Sequence, residues 1–155
     1  MSLSNVFSEK KMSKYSNYLI FIFFFTFLII GLSIFRSFGI SIDEPFHRTS
    51  GYFWLYVIIK DLFFSSDYLI YLKNLLDGME WSKDFFAGNY QTYGPIFDLL
   101  SAVLEQSVGI NSDKDAFELK HLLTFLFFFV SGIYFFALLN QRYYNKLFSI
   151  FLVFI

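Results

Sequence analysis

The feature that most constrains this chain is an uncharged apolar run at residues 15–35, which is 21 residues long. At 1.5 Å per residue, a helix over this run is about 31 Å long, which matches a bilayer core of roughly 30 Å. The run is too long for the core of a secretory signal, and the bulky residues Ile34 and Phe35 do not suit a cleavage site. We therefore predict an uncleaved membrane-spanning helix at 15–35, preceded by a polar N-terminal segment at 1–14.

A second apolar run, 122–140, is also long enough to cross a bilayer. The small residues Ser131 and Gly132 at its centre favour close contact with a neighbouring helix. After a polar turn at 141–146, a third apolar run at 147–155 ends with the chain, and its nine residues are too few to span. We therefore expect the sequence to be a fragment of a longer multi-span protein, with a third span beginning at 147.

The composition also favours a membrane protein. Phe contributes 25 residues and Tyr 11, and the apolar residues gather in blocks. A net charge of −1 gives no electrostatic basis for binding nucleic acid, and the absence of Cys excludes disulfide and thiolate chemistry. The sequence has no glycine-rich phosphate loop, nucleophile elbow or Cys/His metal cluster, so no standard site for a nucleotide sugar or ATP is predicted.

The distribution of charge predicts the orientation of the spans. Basic residues predominate in both short segments: Lys10, Lys11 and Lys14 before the first span, and Arg142 and Lys146 after the second. The long connection at 36–121 instead holds 12 acidic residues against 7 Lys and Arg. By the positive-inside rule, the short segments lie in the cytoplasm and the connection lies outside. The prediction is an all-α integral membrane protein with a large helical extracytoplasmic loop and a cytoplasmic N-terminus.

Helical patterns predominate within this loop. Pro45 suits the first turn of a helix over 46–64, with Asp43 as its cap. The aromatic residues of that helix, Tyr52 and Trp54 among them, are typical of a helix lying among lipid headgroups. The remaining predictions are helices at 67–76 and 96–108, the second closed by Gly109, and an irregular segment at 81–91.

The loop begins with the densest group of chemistry-bearing residues in the chain, between Asp43 and Arg48. Ionisable groups beside a membrane span are costly unless they are hydrated, paired or used. One carboxylate of the Asp43–Glu44 pair can take a proton from an acceptor hydroxyl while the other holds a divalent ion. On spacing alone the favoured interpretation is an acid pair that caps a helix, because carboxylates are favoured at a helix N-terminus. From the residues alone, both interpretations stay open.

Two further groups have alternative interpretations. Glu44 and His47 lie three apart, an arrangement found in carboxylate metal sites, although a single pair of this kind more often forms a structural hydrogen bond. Arg48 is suited to binding either a phosphate or lipid headgroups. Lys120 and His121, at the outer end of the second span, fit an interface anchor or a contact with a lipid phosphate.

Several short motifs follow one another in an order that resembles a known family. They are DEPFHRT at 43–49, YGPIFD at 93–98 and KHLLTF at 120–125, arranged between the first two spans. In this order the chain resembles bacterial glycosyltransferase family 39, the protein-mannosyltransferase and aminoarabinose-transferase-like group. Members carry Arg-His where this chain has Lys120-His121. The resemblance covers nearly the whole chain but only the N-terminal part of the family's length.

The resemblance implies a GT-C-type helical bundle in a bacterial inner membrane, a polyprenyl-phosphate-linked sugar donor and an acceptor on the outer face. It implies that Asp43 is the general base of an inverting displacement, and that Glu44 acts beside it in binding a metal ion or the acceptor. The expected substrate-binding residues are His47, Arg48, Tyr93, Lys120 and His121, and a divalent ion is expected at Glu44 and His47. The alternative is a non-catalytic transporter or assembly subunit whose outer loop binds a partner.

Overall fold

The computed structural model of the protein describes residues 3–62, 67–88, 95–110 and 112–154, and these residues form helices and turns without a β-strand. A 3₁₀ turn at Phe35–Ser37 follows the first helix. In chain order the α-helices are α1 Leu3–Ile34, α2 Glu44–Leu62, α3 Asp67–Asp77, α4 Ser82–Phe86, α5 Ile96–Val108, α6 Asp113–Tyr143 and α7 Lys146–Phe154.

The structure bears out most of the predicted helices. The loop helices expected at 46–64, 67–76 and 96–108 correspond to α2, α3 and α5. Gly109 closes α5 as predicted: its φ of 73° is left-handed, and its N–H donates to the carbonyl oxygens of Glu105 and Gln106. The prediction of an irregular segment at 81–91 is wrong over Ser82–Phe86, which is helical, while Asn89–Gln91 lie outside the described residues.

Two helical segments are long and apolar enough to cross a membrane: Tyr15–Ser37 and Asp113–Tyr143. Both contain a predicted span. The second helix begins at Asp113, nine residues before the predicted start at 122, because its acidic first turn favours the positive end of a helix dipole.

The chain divides into two compact units. One comprises Met1–Ser37 and His121–Ile155, here called the terminal unit, and the other is Phe38–Lys120, the central unit. The central unit falls within the predicted loop, 36–121. It contains α2 to α5 and the first turns of α6.

The central unit is built around α2. Its core consists of side chains from four helices: Tyr52, Phe53 and Leu55 of α2, Leu72 and Leu76 of α3, Phe85 of α4 and Ala102 of α5. Tyr52 is fully buried, so its predicted place among lipid headgroups is wrong. Its hydroxyl instead accepts a hydrogen bond from Gln106 Nε2 (2.7 Å), which removes the cost of burying an unpaired polar group.

The terminal unit contains α1, α7 and the part of α6 that follows Lys120. Helices α1 and α6 meet through phenylalanine rings, for example Phe24 with Phe136 at 5.7 Å between centroids. A Cβ on Gly31 of α1 would lie 2.0 Å from the Phe125 ring of α6, so this glycine permits the close contact. The sequence predicted such a close contact at Ser131 and Gly132. A Cβ on Gly132 would meet no atom within 4 Å, so the structure does not show close packing there.

We predict that Gly51→Ala destabilises the central unit. The added Cβ would lie 2.2 Å from the carbonyl oxygen of Asp98, so α5 must move away from α2. Overpacking of this kind lowers the free energy of unfolding by about 3 kcal/mol. The higher helix propensity of Ala offsets only about 1 kcal/mol of this loss. The measurement is urea unfolding of the detergent-solubilised chain by tryptophan fluorescence, because both tryptophans, Trp54 and Trp81, belong to this unit.

Gly39→Ala is the matched control, because a Cβ there meets no atom within 4 Å. Equal unfolding midpoints for the two variants would contradict the close packing of α2 against α5.

Candidate functional site

Helix α5 turns a polar face toward the interior of the central unit. Asp98, Ser101, Ala102 and Glu105 are all buried. Their spacing of three, four and seven residues places them along one side of the helix. Buried carboxylates persist only when they are paired, so the contacts of Asp98 and Glu105 define the electrostatics of this unit.

Asp98 is held between two basic side chains from different helices. His47 Nδ1 of α2 lies 3.0 Å from its Oδ2, and Lys120 Nζ of α6 donates to its Oδ1 at 2.9 Å. The His47 side chain is 46% exposed, whereas those of Asp98 and Lys120 are almost covered. With Nδ1 occupied, the other ring nitrogen of His47 is the one available to a ligand.

Glu105 forms the second centre, with Arg48 of α2. Arg48 Nε donates to both carboxylate oxygens at 3.1 and 3.2 Å, and Nη2 donates to Oε1. The third nitrogen, Nη1, donates to Asp113 at the start of α6. Desolvation lowers the pKa of Arg48, but the hydrogen bonds and charges of Glu105 and Asp113 outweigh it and leave the pKa above its ordinary value.

The two carboxylates that hold Arg48 differ in their exposure to solvent. The Glu105 side chain is 5% exposed and that of Asp113 is 80% exposed. The contact with Glu105 is therefore a desolvated, bidentate pair, and the contact with Asp113 is a surface ion pair of much smaller energy. Together the two centres join α2, α5 and α6.

A groove opens beside Arg48. Its volume of about 310 Å³ is at the lower end of the size range of small-molecule sites. It lies between the start of α2, the turn after α3 and the start of α6. The lining residues are Pro45, Arg48, Thr49, Gly78, Met79, Glu80, Asp113 and Phe117. Carboxylates, a guanidinium and an aromatic ring are groups that can bind a polar, hydroxylated ligand.

Asp43, the predicted base, lies at the N-terminal end of α2. Its carbonyl oxygen accepts the His47 N–H (3.1 Å), which places it at the predicted cap position, and its own N–H donates to Ser41 Oγ (3.3 Å). The carboxylate is exposed to solvent. Within the described residues it has neither an ion pair nor a hydrogen bond, so it is accessible to a substrate.

The remaining predicted site residues are distributed as follows. Glu44 is half-buried in the first turn of α2, and Tyr93 lies outside the described residues. Lys120 belongs to the central unit and His121 to the terminal unit. Among the residues that the structure describes, no three His, Cys, Asp or Glu side chains form a group that could hold a metal ion. A metal site at Glu44 and His47 stays a prediction, with only these two residues proposed as protein ligands.

The sequence did not single out Glu105, and it pointed to Asp98 only as the last residue of the YGPIFD motif at 93–98. A signal was present, because Asp98 and Glu105 lie seven residues apart on a predicted helix that also has Ser101 and Ala102 on the same side. Charged residues on one side of a helix normally predict a solvated face. Here that side is buried because Arg48 of α2 and Lys120 of α6 pair with its two carboxylates.

Comparison with protein-family models, curated proteins and solved structures finds no match to this chain. The case for a function therefore rests on the sequence motifs and on the geometry of the central unit.

We predict that Glu105→Gln destabilises the central unit by about 3 kcal/mol, because it leaves the Arg48 guanidinium, 16% exposed, without its buried counter-charge. Tryptophan fluorescence during urea unfolding measures the change. The control is Asp77→Asn, which breaks the exposed Lys73–Asp77 pair and should cost less than about 1 kcal/mol.

The double variant Arg48→Met with Glu105→Leu should recover most of the lost stability, since apolar pairs can replace buried ion pairs. If Glu105→Gln and Asp77→Asn had the same small effect, the Arg48–Glu105 pair would not be a major structural contact.

Proposed function

We propose that the chain is part of a multi-span membrane glycosyltransferase of the GT-C type. In this proposal the enzyme transfers a sugar from a polyprenyl-phosphate-linked donor to an acceptor on the outer face of a bacterial inner membrane. The observation that carries the proposal is the exposed Asp43 carboxylate, at the start of α2 in a compact unit that lies in the sequence between two apolar helices.

The exposure of the two apolar helices supports their place in a membrane. Only 6% and 0% of the residues in their most apolar stretches are buried within the protein. The core helix of a soluble protein would be covered by its neighbours. Exposed phenylalanine and isoleucine side chains along these helices are costly in water and are stable in lipid.

The surroundings of Asp43 support its role as a base. Its carboxylate is exposed, so the hydroxyl of an acceptor can reach it. His47 and Arg48 lie one turn further along the same helix, and the groove beside Arg48 can accommodate a sugar ring.

The proposed reaction is a single displacement. The Asp43 carboxylate takes the proton of the acceptor hydroxyl, and the acceptor oxygen forms a bond to the anomeric carbon of the donor. The bond from that carbon to the phosphate oxygen breaks, and the polyprenyl phosphate leaves with the bonding electrons. One base and a phosphate leaving group suffice, so no nucleophile from the protein is needed.

The second candidate is a non-catalytic transporter or assembly subunit with a partner-binding outer loop. One observation favours it: Arg48 and Lys120, both expected to bind substrate, already hold the carboxylates of the central unit. In that case the charged residues of the loop are structural, and loss of the Asp43 carboxylate has no effect on chemistry.

The orientation can be tested with single cysteines, because the natural sequence has none. Lys83→Cys places an exposed thiol in the central unit, and Gln141→Cys places one in the predicted cytoplasmic turn. In intact bacterial cells, a membrane-impermeant maleimide should label Lys83→Cys and should label Gln141→Cys only after permeabilisation. Labelling of Gln141→Cys alone in intact cells would reverse the proposed topology.

The catalytic role is tested in the full-length product of the gene, since the resemblance covers only the N-terminal part of the family's length. With a polyprenyl-phosphate sugar as donor, Asp43→Asn should lower the rate of transfer by about 10²–10⁴-fold, the contribution of a general base. Membrane insertion should be unchanged.

Asp67→Asn is the control, because Asp67 is another exposed carboxylate at the start of a helix, α3. Transfer by Asp43→Asn at the rate of this control would remove Asp43 from the mechanism. The absence of transfer by the unmodified full-length protein with every such donor would favour the non-catalytic candidate.

A further inference from the structure

The buried carboxylate of Asp98 pairs with a covered lysine and also holds a partly exposed histidine. Its Oδ1 accepts a hydrogen bond from Lys120 Nζ at 2.9 Å, and its Oδ2 lies 3.0 Å from His47 Nδ1. The side chains of Asp98 and Lys120 are almost covered, whereas about half of the imidazole faces solvent. A hydrogen bond at one ring nitrogen of a histidine sets the state of the other nitrogen, so Asp98 controls what His47 presents to solvent.

The imidazole of His47 is also fixed in direction. The Phe46 ring packs edge-to-face against it, with 5.5 Å between centroids and 81° between planes. Phe46 in turn packs against Phe85 of the core, with 5.2 Å between centroids. Because Nδ1 faces a carboxylate that is only 9% exposed, the exposed part of the ring is the opposite edge, which carries Nε2.

The contact with Asp98 determines which nitrogen of a neutral His47 carries the proton. Asp98 forms an ion pair with Lys120, and an ionised carboxylate only accepts hydrogen bonds. The proton of the neutral imidazole is therefore on Nδ1, where it is donated to Asp98. Nε2 keeps its lone pair and can accept a hydrogen bond from a ligand.

Asp43 lies one helical turn before His47. The carbonyl oxygen of Asp43 accepts the backbone N–H of His47, and residues four apart lie on the same side of a helix. The Cβ atoms of such residues are about 5–6 Å apart. Two hydrogen-bond acceptors, the exposed carboxylate of Asp43 and Nε2 of His47, therefore lie close enough to bind two hydroxyls of one molecule.

We propose that Asp98 is a positioning residue of the site around Asp43, and that it holds His47 so that Nε2 accepts a hydrogen bond from a ligand hydroxyl. A hydroxyl has one proton, so the hydroxyl that Asp43 deprotonates cannot also donate to His47. The ligand class is therefore a polyhydroxylated molecule, such as a sugar, with a second hydroxyl beside the reacting centre. The identity of the ligand rests on the proposed function, whereas the tautomer of His47 does not depend on it.

Nitrogen NMR of the detergent-solubilised chain, labelled with ¹⁵N in its imidazoles, tests the position of the proton. The chain has two histidines, so the signals that are lost in His47→Gln belong to residue 47. In alkaline buffer that contains a chelator, Nδ1 of His47 should carry the proton and Nε2 should be unprotonated. A proton on Nε2 in the unmodified chain would overturn the proposal.

Asp98→Asn should reverse the tautomer. The amide of Asn has the shape of the carboxylate, but its nitrogen is a donor. With Lys120 donating to the amide oxygen, the amide nitrogen faces Nδ1, and the proton of His47 moves to Nε2. The same exchange in the serine-protease triad keeps the geometry and gives the wrong tautomer. If tryptophan fluorescence shows a folded Asp98→Asn in which the proton stays on Nδ1, Asp98 does not position His47.

The role of Nε2 is measured in the full-length product of the gene, with a polyprenyl-phosphate sugar as donor and a methyl glycoside as acceptor. His47→Leu and Asp98→Asn should each raise one KM about 10-fold, the effect of one lost hydrogen bond, with little change in kcat. A higher KM for the donor assigns the hydroxyl to the donor sugar, and a higher KM for the methyl glycoside assigns it to the acceptor. His47→Gln should recover part of the loss, because its carbonyl oxygen can accept a hydrogen bond.

Unchanged KM values for both substrates in His47→Leu would overturn the hydrogen bond to a ligand. A loss in His47→Gln as large as that in His47→Leu would overturn it as well. The absence of transfer by the unmodified protein would instead count against the proposed function, and with it against the ligand role of His47. The NMR measurement would then still decide whether Asp98 holds the His47 tautomer.

Discussion

The central unit depends on the neutralisation of two carboxylates that α5 carries into the interior. Asp98 and Glu105 are both buried, and each is paired with basic side chains that come from other helices. Removal of one partner leaves an uncompensated charge, whereas an apolar replacement of the whole pair is tolerated, so such pairs specify an arrangement more than they stabilise it. Here the specified arrangement is the packing of α5 against α2 and against the first turns of α6.

Local signals were sufficient to predict most of the helices. Uncharged runs of sufficient length identified both apolar helices, Pro45 located the start of α2, and Gly109 located the end of α5. Helix α4 was not predicted because its five residues carry no periodic pattern, and it is held by packing of Phe85 in the core. The burial of Tyr52 was not predictable from its type, because an aromatic residue with a hydroxyl suits a headgroup layer and a core equally well.

The candidate site was predictable only in part. His47 and Arg48 were recognised from their position next to Asp43, but their partners lie 51 and 57 residues away along the chain. Such pairing depends on how close α2 and α5 approach, and Gly51 permits that approach by lacking a Cβ. A single sequence shows the glycine but not the backbone it faces. The close packing of α2 against α5 also determines which ionisable groups are available for catalysis. Arg48 and Lys120 are paired with buried carboxylates, whereas the Asp43 carboxylate stays exposed.

The two carboxylates that contact Arg48 differ in burial, so the two contacts respond differently to dissolved salt. Dissolved salt screens charges in solvent and hardly reaches those in the interior. Rising ionic strength therefore weakens the contact with Asp113 while the contact with Glu105 persists. At Arg48, salt therefore acts on the contact between α2 and the first turn of α6 and spares the contact between α2 and α5.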